Sequence, residues 1–240
     1  MNETSDIIIL SLNPYKETGA IIDGYSKEFG RIRLFARGIF KDKSKNAAAV
    51  QPITKSYCTF DIKGNSGTLH SAAIVDYYKT IKNDITKIAM ASVFCEIIVQ
   101  LSEPFIPDIP LFNALDYSLE GLKNQPPYLI GCWFLAQACL LAGISPEVDR
   151  CILCDSEKIA AISIKEGGFI CSSCQNKTEI KKYDTDFYRM FRCINKADEH
   201  QLQHCAQLGQ YTMEHLEVMI AIFSQFSGIS LKSWEFLRRL

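Results

Sequence analysis

The apolar residues of this chain keep two different rhythms. Over roughly the first 75 of its 240 residues they come in short runs bounded by turn residues. "DIIILSL" (6–12) is one such run, followed by "GAIIDGYS" (19–26) and "RIRLFARG" (31–38). In the third, Ile32, Leu34 and Ala36 alternate with Arg31, Arg33 and Phe35, the period of two that sends successive side chains to opposite faces of a strand. "TKSYCTFDIK" (54–63) and "TLHSAAIV" (68–75) are separated by "GNSG" (64–67), a hairpin signal. Five short strands in this space predict a small closed or nearly closed barrel. An OB-type barrel is the economical choice and an SH3-like barrel the alternative.

From about Asp76 the texture becomes helical. "DITKIAMASVFCEIIVQL" (84–101) is apolar on most sides, as a central helix is, and Glu103-Pro104 closes it because the residue before proline avoids the helical region. "DIPLFNALDYSLEGLKN" (108–124) carries Leu111, Leu115, Leu119 and Leu122 on one face. "PPYLIGCWFLAQACLLAG" (126–143) opens on prolines and closes on glycine, the asymmetry expected of a helix. Helical spacing returns in "DFYRMFRCI" (186–194), "LGQYTMEHLEVMIAIFSQF" (208–226) and the tail "LKSWEFLRRL" (231–240).

Between these helices lies "CILCDSEKIAAISIKEGGFICSSC", with two Cys-x-x-Cys pairs, Cys151/Cys154 and Cys171/Cys174, sixteen residues apart. Each pair can aim two thiolates at one point and two pairs complete a tetrahedron, so the pattern predicts one structural zinc ion per chain. A redox pair or unconnected thiols are the alternative. "AAISI" with Gly167 and Gly168 supplies a small hairpin between the pairs. Four thiolates leave no open position on the metal, which argues against catalysis by it. Arg150, Lys158, Lys165 and Lys177 stand nearby to offset the anionic site. The resulting architecture is α+β and multidomain: a barrel (1–76), helices (77–149), a zinc module (150–177) and further helices (178–240), with the two helical parts expected to pack as one domain.

Ten cysteines would suit a secreted disulfide scaffold, but "MNETSDIIILSLNPYKE" lacks the basic and apolar regions of a signal peptide, and the apolar stretches are shorter than a membrane span. A soluble cytosolic protein with reduced thiols is expected. Cys58, Cys95, Cys132, Cys139, Cys193 and Cys205 then read as small apolar fillers. His200, His204 and Cys205 form a possible second metal cluster, although two histidines four apart are more often a polar helix face. Trp133 is expected in the core and Trp234 as the anchor of the last helix.

Net charge is −1, so charge must be read locally. "KEFGRIRLFARGIFKDKSK" (27–45) carries Lys27, Arg31, Arg33, Arg37, Lys41, Lys43 and Lys45 against Glu28 and Asp42, a local charge of +5 with Phe29, Phe35 and Phe40 interleaved. On a barrel, Arg31, Arg33, Phe35 and Arg37 project from one strand face and the following loop extends the basic surface. Cations then meet phosphates and an exposed ring can stack on a base. The bland alternative is a solvated strand with Phe35 in the core. Phosphate-loop, His-Glu-x-x-His and nucleophile-elbow signatures of enzymes are missing from the sequence.

"NPYKETGAIIDGYSKEFGRIRLFARGIFKDKS", with its Tyr15-x-Glu17 segment, Gly-Arg-Ile-Arg and Ala-Arg-Gly, resembles the opening of the bacterial recombination and DNA-repair RecO family. "QP" (51–52), "GISPEVDRCILC" and "EGGFICSSC" match the same family in the same order. The resemblance implies an N-terminal OB fold, a helical domain and an inserted four-cysteine zinc module. It implies a non-catalytic protein that binds single- and double-stranded DNA, anneals complementary strands and works with RecR and the single-stranded-DNA-binding protein to help load RecA, in the cytoplasm of a bacterium and at its nucleoid. On that reading Lys27, Arg31, Arg33 and Arg37 are backbone contacts, Lys41, Lys43 and Lys45 loop contacts, and Phe35 and Phe40 stacking residues. An acidic, apolar tail of the single-stranded-DNA-binding protein needs an apolar groove rimmed by cations, with Arg189, Arg192, Arg238 and Arg239 as candidates. The competing classes are a protein-interaction scaffold with no direct DNA binding and an enzyme with a zinc appendage.

Overall fold

The computed structural model describes residues 2–64, 66–175 and 181–240. The chain divides into two compact units, Met1–Lys123 with Ser233–Leu240, and Asn124–Lys232.

The first unit opens with a closed barrel of β1 (Asn2–Tyr15), β2 (Gly19–Ser26), β3 (Gly30–Ala36), β4 (Lys55–Lys63) and β5 (Ser66–Asp76), in the order β1-β2-β3-β5-β4. β1 pairs with both β2 and β4, which closes the sheet on itself, and β3 runs parallel to β5. This is the OB-type barrel expected from the strand rhythm. Its centre is filled by Ile7, Ile9, Ile22, Ile32, Leu34, Cys58, Phe60 and their neighbours, all buried. The unbroken apolar run in β1 has a separate cause: Ile8 and Leu10, which point the other way, are buried too. Helix α2 (Ile85–Leu101) packs on β1, so this strand is covered on both faces and does not alternate.

α1 (Lys79–Lys82) precedes α2, whose N-terminus is capped by the Asp84 carboxylate accepting from the N–H groups of Thr86 and Lys87 at 2.9 and 3.1 Å. α3 (Ile109–Asn124) buries the predicted Leu111, Leu115, Leu119 and Leu122. Lys55 of β4 donates to Asp116 of α3 at 2.8 Å. Most of the last helix, α8 (Lys232–Leu237), belongs to this unit, and the Ser233 N–H donates to Glu96 of α2 at 2.8 Å.

The second unit holds α4 (Pro127–Leu141), the hairpin β6 (Ile159–Ser163) with β7 (Gly168–Cys171), α5 (Thr185–Lys196), α6 (Leu202–Leu208) and α7 (Met213–Ser227). α4 packs on α5 and α7, and Trp133 is buried with its indole N–H donated to the Ala197 carbonyl at 3.1 Å. The single helix expected at 208–226 begins only at Met213, because Thr212 takes the N-cap and His215 completes a capping box with it. Two of the expected filler thiols are otherwise employed. Cys193 of α5 and Cys205 of α6 form a disulfide, Cα to Cα 5.9 Å, because the turn between the helices brings their facing sides together. Cys58, Cys95, Cys132 and Cys139 are buried free thiols, and burial pushes Cys58, Cys95 and Cys139 up to about 12.

Candidate nucleic-acid interface and metal centre

The period of two in β3 is realised. Ile32, Leu34 and Ala36 enter the barrel, while Arg31, Arg33 and Phe35 face outward, followed by exposed Arg37. The outward residues differ in what holds them. Arg33 gives its Nε–H to Asp23 of β2 at 2.9 Å, and this hydrogen bond holds the guanidinium above its ordinary pKa. Arg31 is half-buried, with a buried Nε and with its carbonyl accepting from the Phe105 N–H at 2.9 Å. Phe35 is half-buried against β2 and stays outside the core cluster. Lys27 is exposed in the β2–β3 turn. That turn ends at Gly30, at φ 66° and so close to the chain that an added Cβ would stand 2.1 Å from the Ile106 carbonyl oxygen.

Lys41, Lys43 and Lys45 are all exposed in the segment joining β3 to β4. The segment itself is anchored. Ile39 and Val50 are buried in the barrel core, and Asn46 both donates to the His70 carbonyl (3.3 Å) and accepts from the Ala72 N–H (3.2 Å) of β5. Its lysines therefore project from a fixed backbone. Arg33, Phe35, Arg37 and the loop lysines come from one continuous stretch of chain and belong to one barrel. Tyr15, at the end of β1, is also exposed and packs its ring against Phe35. The composition of the basic stretch did not point to it, since it lies twelve residues before that stretch begins.

The Sγ atoms of Cys151, Cys154, Cys171 and Cys174 all lie within 4.8 Å of one another. Four sulphurs bound to one ion at about 2.3 Å sit about 3.8 Å apart, so the donor set and its spacing fit a tetrahedral metal. Tight turns make the two knuckles: the Asp155 N–H donates to the Cys151 carbonyl at 2.9 Å, and the Cys174 and Gln175 N–H groups to the Cys171 carbonyl at 3.2 and 3.0 Å. Burial raises the Cys151 thiol, but backbone N–H groups outweigh it and bring the thiol down to about 6. The hairpin carrying these residues is tied to the helices of its own unit. Phe169 packs its ring against Tyr188 and Phe191 of α5, and the Tyr188 hydroxyl donates to the Ala160 carbonyl at 3.0 Å. Arg150 pairs with Asp155 and Lys165 with Glu166, while Lys177 lies outside the described residues. Among the described residues the four cysteines are the one cluster suited to a metal, and it includes neither His200 nor His204.

A cavity of about 670 Å³ opens in the second unit between α5 and α6, lined by Arg189, Arg192, Lys196, His204 and Leu208. Arg192 and Lys196 share Asp149, which they hold below the usual carboxylate range. Of the four arginines named as a cationic rim, Arg189 and Arg192 line this cavity, and Arg238 and Arg239 belong to the other compact unit. Among the described residues no helix is long and apolar enough to cross a membrane.

Comparison with known proteins agrees with this arrangement. Residues 1–78 match the family described as Recombination protein O N terminal, and residues 82–235 match Recombination protein O C terminal. The chain is 28% identical over 240 residues to the DNA repair protein RecO of Bacillus mycoides (strain KBAB4), covering 97% of this chain and 95% of that protein. It is 28% identical over 241 residues to the DNA repair protein RecO of Halalkalibacterium halodurans, covering 97% and 93%. Against the same-named protein of Listeria innocua serovar 6a it is 28% identical over 247 residues, covering 98% and 94%. With a closed five-stranded barrel, a four-cysteine hairpin set among helices, and family matches over nearly its whole length, the chain belongs to the RecO family of DNA repair proteins.

Proposed function

We propose that this protein is a non-catalytic recombination mediator that binds single- and double-stranded DNA on its barrel (1–76), promotes annealing, and acts with RecR and the single-stranded-DNA-binding protein to help load RecA in a bacterial cytoplasm, at the nucleoid. The observation that carries the reading is the outward row of β3 continued by the exposed lysines of the anchored loop, on a barrel type suited to nucleic acid. An annealing factor has to neutralise two phosphate backbones without gripping either. Solvated Lys and Arg side chains do this, because their hold on phosphate comes largely from counterion release. Arg37, Lys41, Lys43 and Lys45 are the main backbone contacts. Arg33, already engaged by Asp23, and Arg31, half-buried, contribute less.

The four cysteines hold one zinc ion. Bound there, it supplies a crosslink between the two knuckles and no open coordination position. The α5–α6 cavity, lined by Arg189, Arg192, Lys196 and Leu208, receives the acidic, apolar tail of the single-stranded-DNA-binding protein, whose carboxylates compete with Asp149 for Arg192 and Lys196. In sequence, the segments 77–149 and 178–240 are the mainly helical stretches on either side of the zinc module at 150–177.

The test is fluorescence anisotropy of a labelled single strand titrated across a salt series. Affinity falls steeply with salt, and replacing Lys41, Lys43 and Lys45 by Glu lowers the slope of log K against log salt by about 2, at about 0.7 for each phosphate no longer neutralised. Binding that is indifferent to salt and to these three residues would instead make the barrel a protein-interaction module.

A further inference from the structure

We infer that Lys82, at the end of α1, is a covalent modification site whose side-chain amine is acylated directly by acyl phosphates. The site draws on none of the residues assigned to DNA, to zinc or to the α5–α6 cavity. It lies within the first unit, where α1 meets the residue leading into β4 and the residue following β5.

The Lys82 Nζ donates to Oγ1 of fully buried Thr54 at 2.6 Å and lies 3.7 Å from the centroid of the Tyr77 ring. Lys82 is half-buried, so its amine is sheltered yet reachable. The backbone around both partners is held in an unusual form. Ile53, before Thr54, and Tyr78, after Tyr77, sit in the left-handed region at φ 56° and 50°. That region is strained for a β-branched residue such as Ile53, and such strain persists only where the surroundings impose it. Here the Ile53 N–H donates to the Ile9 carbonyl and the Ile9 N–H to the Thr54 carbonyl, both at 2.9 Å, which pins the residue whose hydroxyl Lys82 meets. On the other side the Tyr78 N–H donates to Asp76 at 2.6 Å, and the Tyr78 carbonyl accepts from the Lys82 N–H at 3.0 Å.

Charge sets Lys82 apart from its neighbours. Among the described residues it forms no ion pair, and the carboxylates of the surrounding elements are committed elsewhere. Asp116 of α3 pairs with Lys55, Asp76 and Glu120 pair with Lys123, and Asp84 caps α2. Lys79, the other cation of α1, is exposed. A hydroxyl and a ring face favour an ammonium, but neither carries a charge to offset burial. Burial lowers the Lys82 amine to about 8. At pH 7.5 about a quarter of such amines are neutral, against about one in a thousand for an ordinary lysine. A desolvated, neutral lysine is an activated nucleophile. Its nitrogen adds to the acyl carbon, the C–N bond forms as the C–O bond to phosphate breaks, phosphate leaves with that electron pair, and the surplus proton passes to water. The amide so formed keeps an N–H for Thr54 and has no charge to hold the Tyr77 ring.

The experiment treats the full chain with acetyl phosphate and follows each lysine by peptide mass spectrometry between pH 6.5 and 9.5. Lys79, on the same helix and exposed, is the internal reference. A less basic, half-buried amine is intrinsically slower, so the advantage in neutral fraction is expected to survive as a rate about 10-fold above that of Lys79 at pH 7.5. The pH profile separates an activated amine from one that is merely accessible. The Lys82 rate levels off above about pH 8, while the Lys79 rate climbs about tenfold per pH unit over the whole range. Tyr77→Glu puts a carboxylate where the ring lies, restores the ammonium and brings Lys82 within about 2-fold of Lys79. Tyr77→Phe keeps the ring and the wild-type rate. Tyr77 is 41% exposed, so both variants are expected to fold. Should Tyr77→Glu unfold, the wild-type pH profile decides by itself. Acetylation of Lys82 no faster than that of Lys79, or a Lys82 rate still climbing at pH 9.5, overturns the inference.

Discussion

The barrel and the cysteine hairpin are both built mainly from antiparallel strand pairs, and they are held together in opposite ways. The barrel encloses twelve buried residues, most of them branched aliphatics, and closes its sheet so that no edge is left over. The buried cluster of the cysteine hairpin consists of Cys151, Ala161, Ile170 and Cys171, with Cys174 packed against it, so its centre is largely sulphur. A two-stranded sheet of this kind is marginal by itself. It is braced by Phe169 lodged against α5, and a metal ion on the four thiolates would crosslink it further. The same secondary structure is therefore self-supporting in one region and clamped in the other. That difference leaves the outer face of the barrel free for arginines and aromatics, because those side chains are not needed inside.

The comparison breaks most sharply at the metal. Cys171→Ser removes a buried ligand, and the second unit should lose its zinc and several kcal/mol of stability, while the barrel stays folded and its salt-dependent DNA binding is kept. Zinc release measured with a chromogenic chelator, alongside unfolding followed by circular dichroism, checks this. Loss of DNA binding together with zinc would show that the two regions are not independent in energy.

The converse variant is Phe60→Ala. Phe60 is fully buried in the barrel and packs edge-on to Phe29 with centroids 5.4 Å apart. Emptying that space costs about 3–5 kcal/mol. DNA binding should fall with the folded fraction at 37 °C while zinc content remains one per chain, a result read by the same two assays.

A smaller effect sharpens the contrast through pH. His215 in α7 is buried, stacked on Phe187 with centroids 4.0 Å apart, and its Nδ1 accepts from the Thr212 N–H at 3.3 Å while Nε2 has no partner among the described residues. Burial lowers its pKa to about 4. The folded value lies below that of a free imidazole, so the unfolded chain takes up the proton first as pH falls. The stability contributed by the neutral ring is complete above about pH 6.5 and is lost progressively toward pH 4, on the order of 2 kcal/mol. His215→Gln keeps the capping box and should flatten denaturant unfolding of the second unit between pH 6.5 and 4.5. An unchanged pH profile would mean that other groups set the acid sensitivity.

Much of this was legible beforehand for identifiable reasons. All five strands and the longer helices follow from periodicity, because burial on one face imposes period two on β3 and a helical stripe on α3. The four-cysteine cluster follows from spacing, since a Cys-x-x-Cys knuckle is a local structure. The start of α7 was misplaced because the choice between continuing a helix and capping it at Thr212 depends on what His215 packs against. The pairing of Cys193 with Cys205 was invisible, since twelve residues of separation say nothing about which faces of two helices meet.

The sequence by itself determined the kinds of element, their order, the outward face of β3 and the four thiolates, all of which depend on neighbours in the chain. Only the tertiary structure decided which of the basic residues are free: Arg33 is bound to Asp23 by the β2–β3 register, Arg31 is tucked beneath the 104–106 segment, and Arg37 and the loop lysines remain open. It likewise decided that the Tyr15 ring packs against Phe35, twenty residues away in sequence. Such proximities are set by strand register and loop anchoring across the barrel, and no local pattern encodes a distance between residues that meet only when the sheet closes.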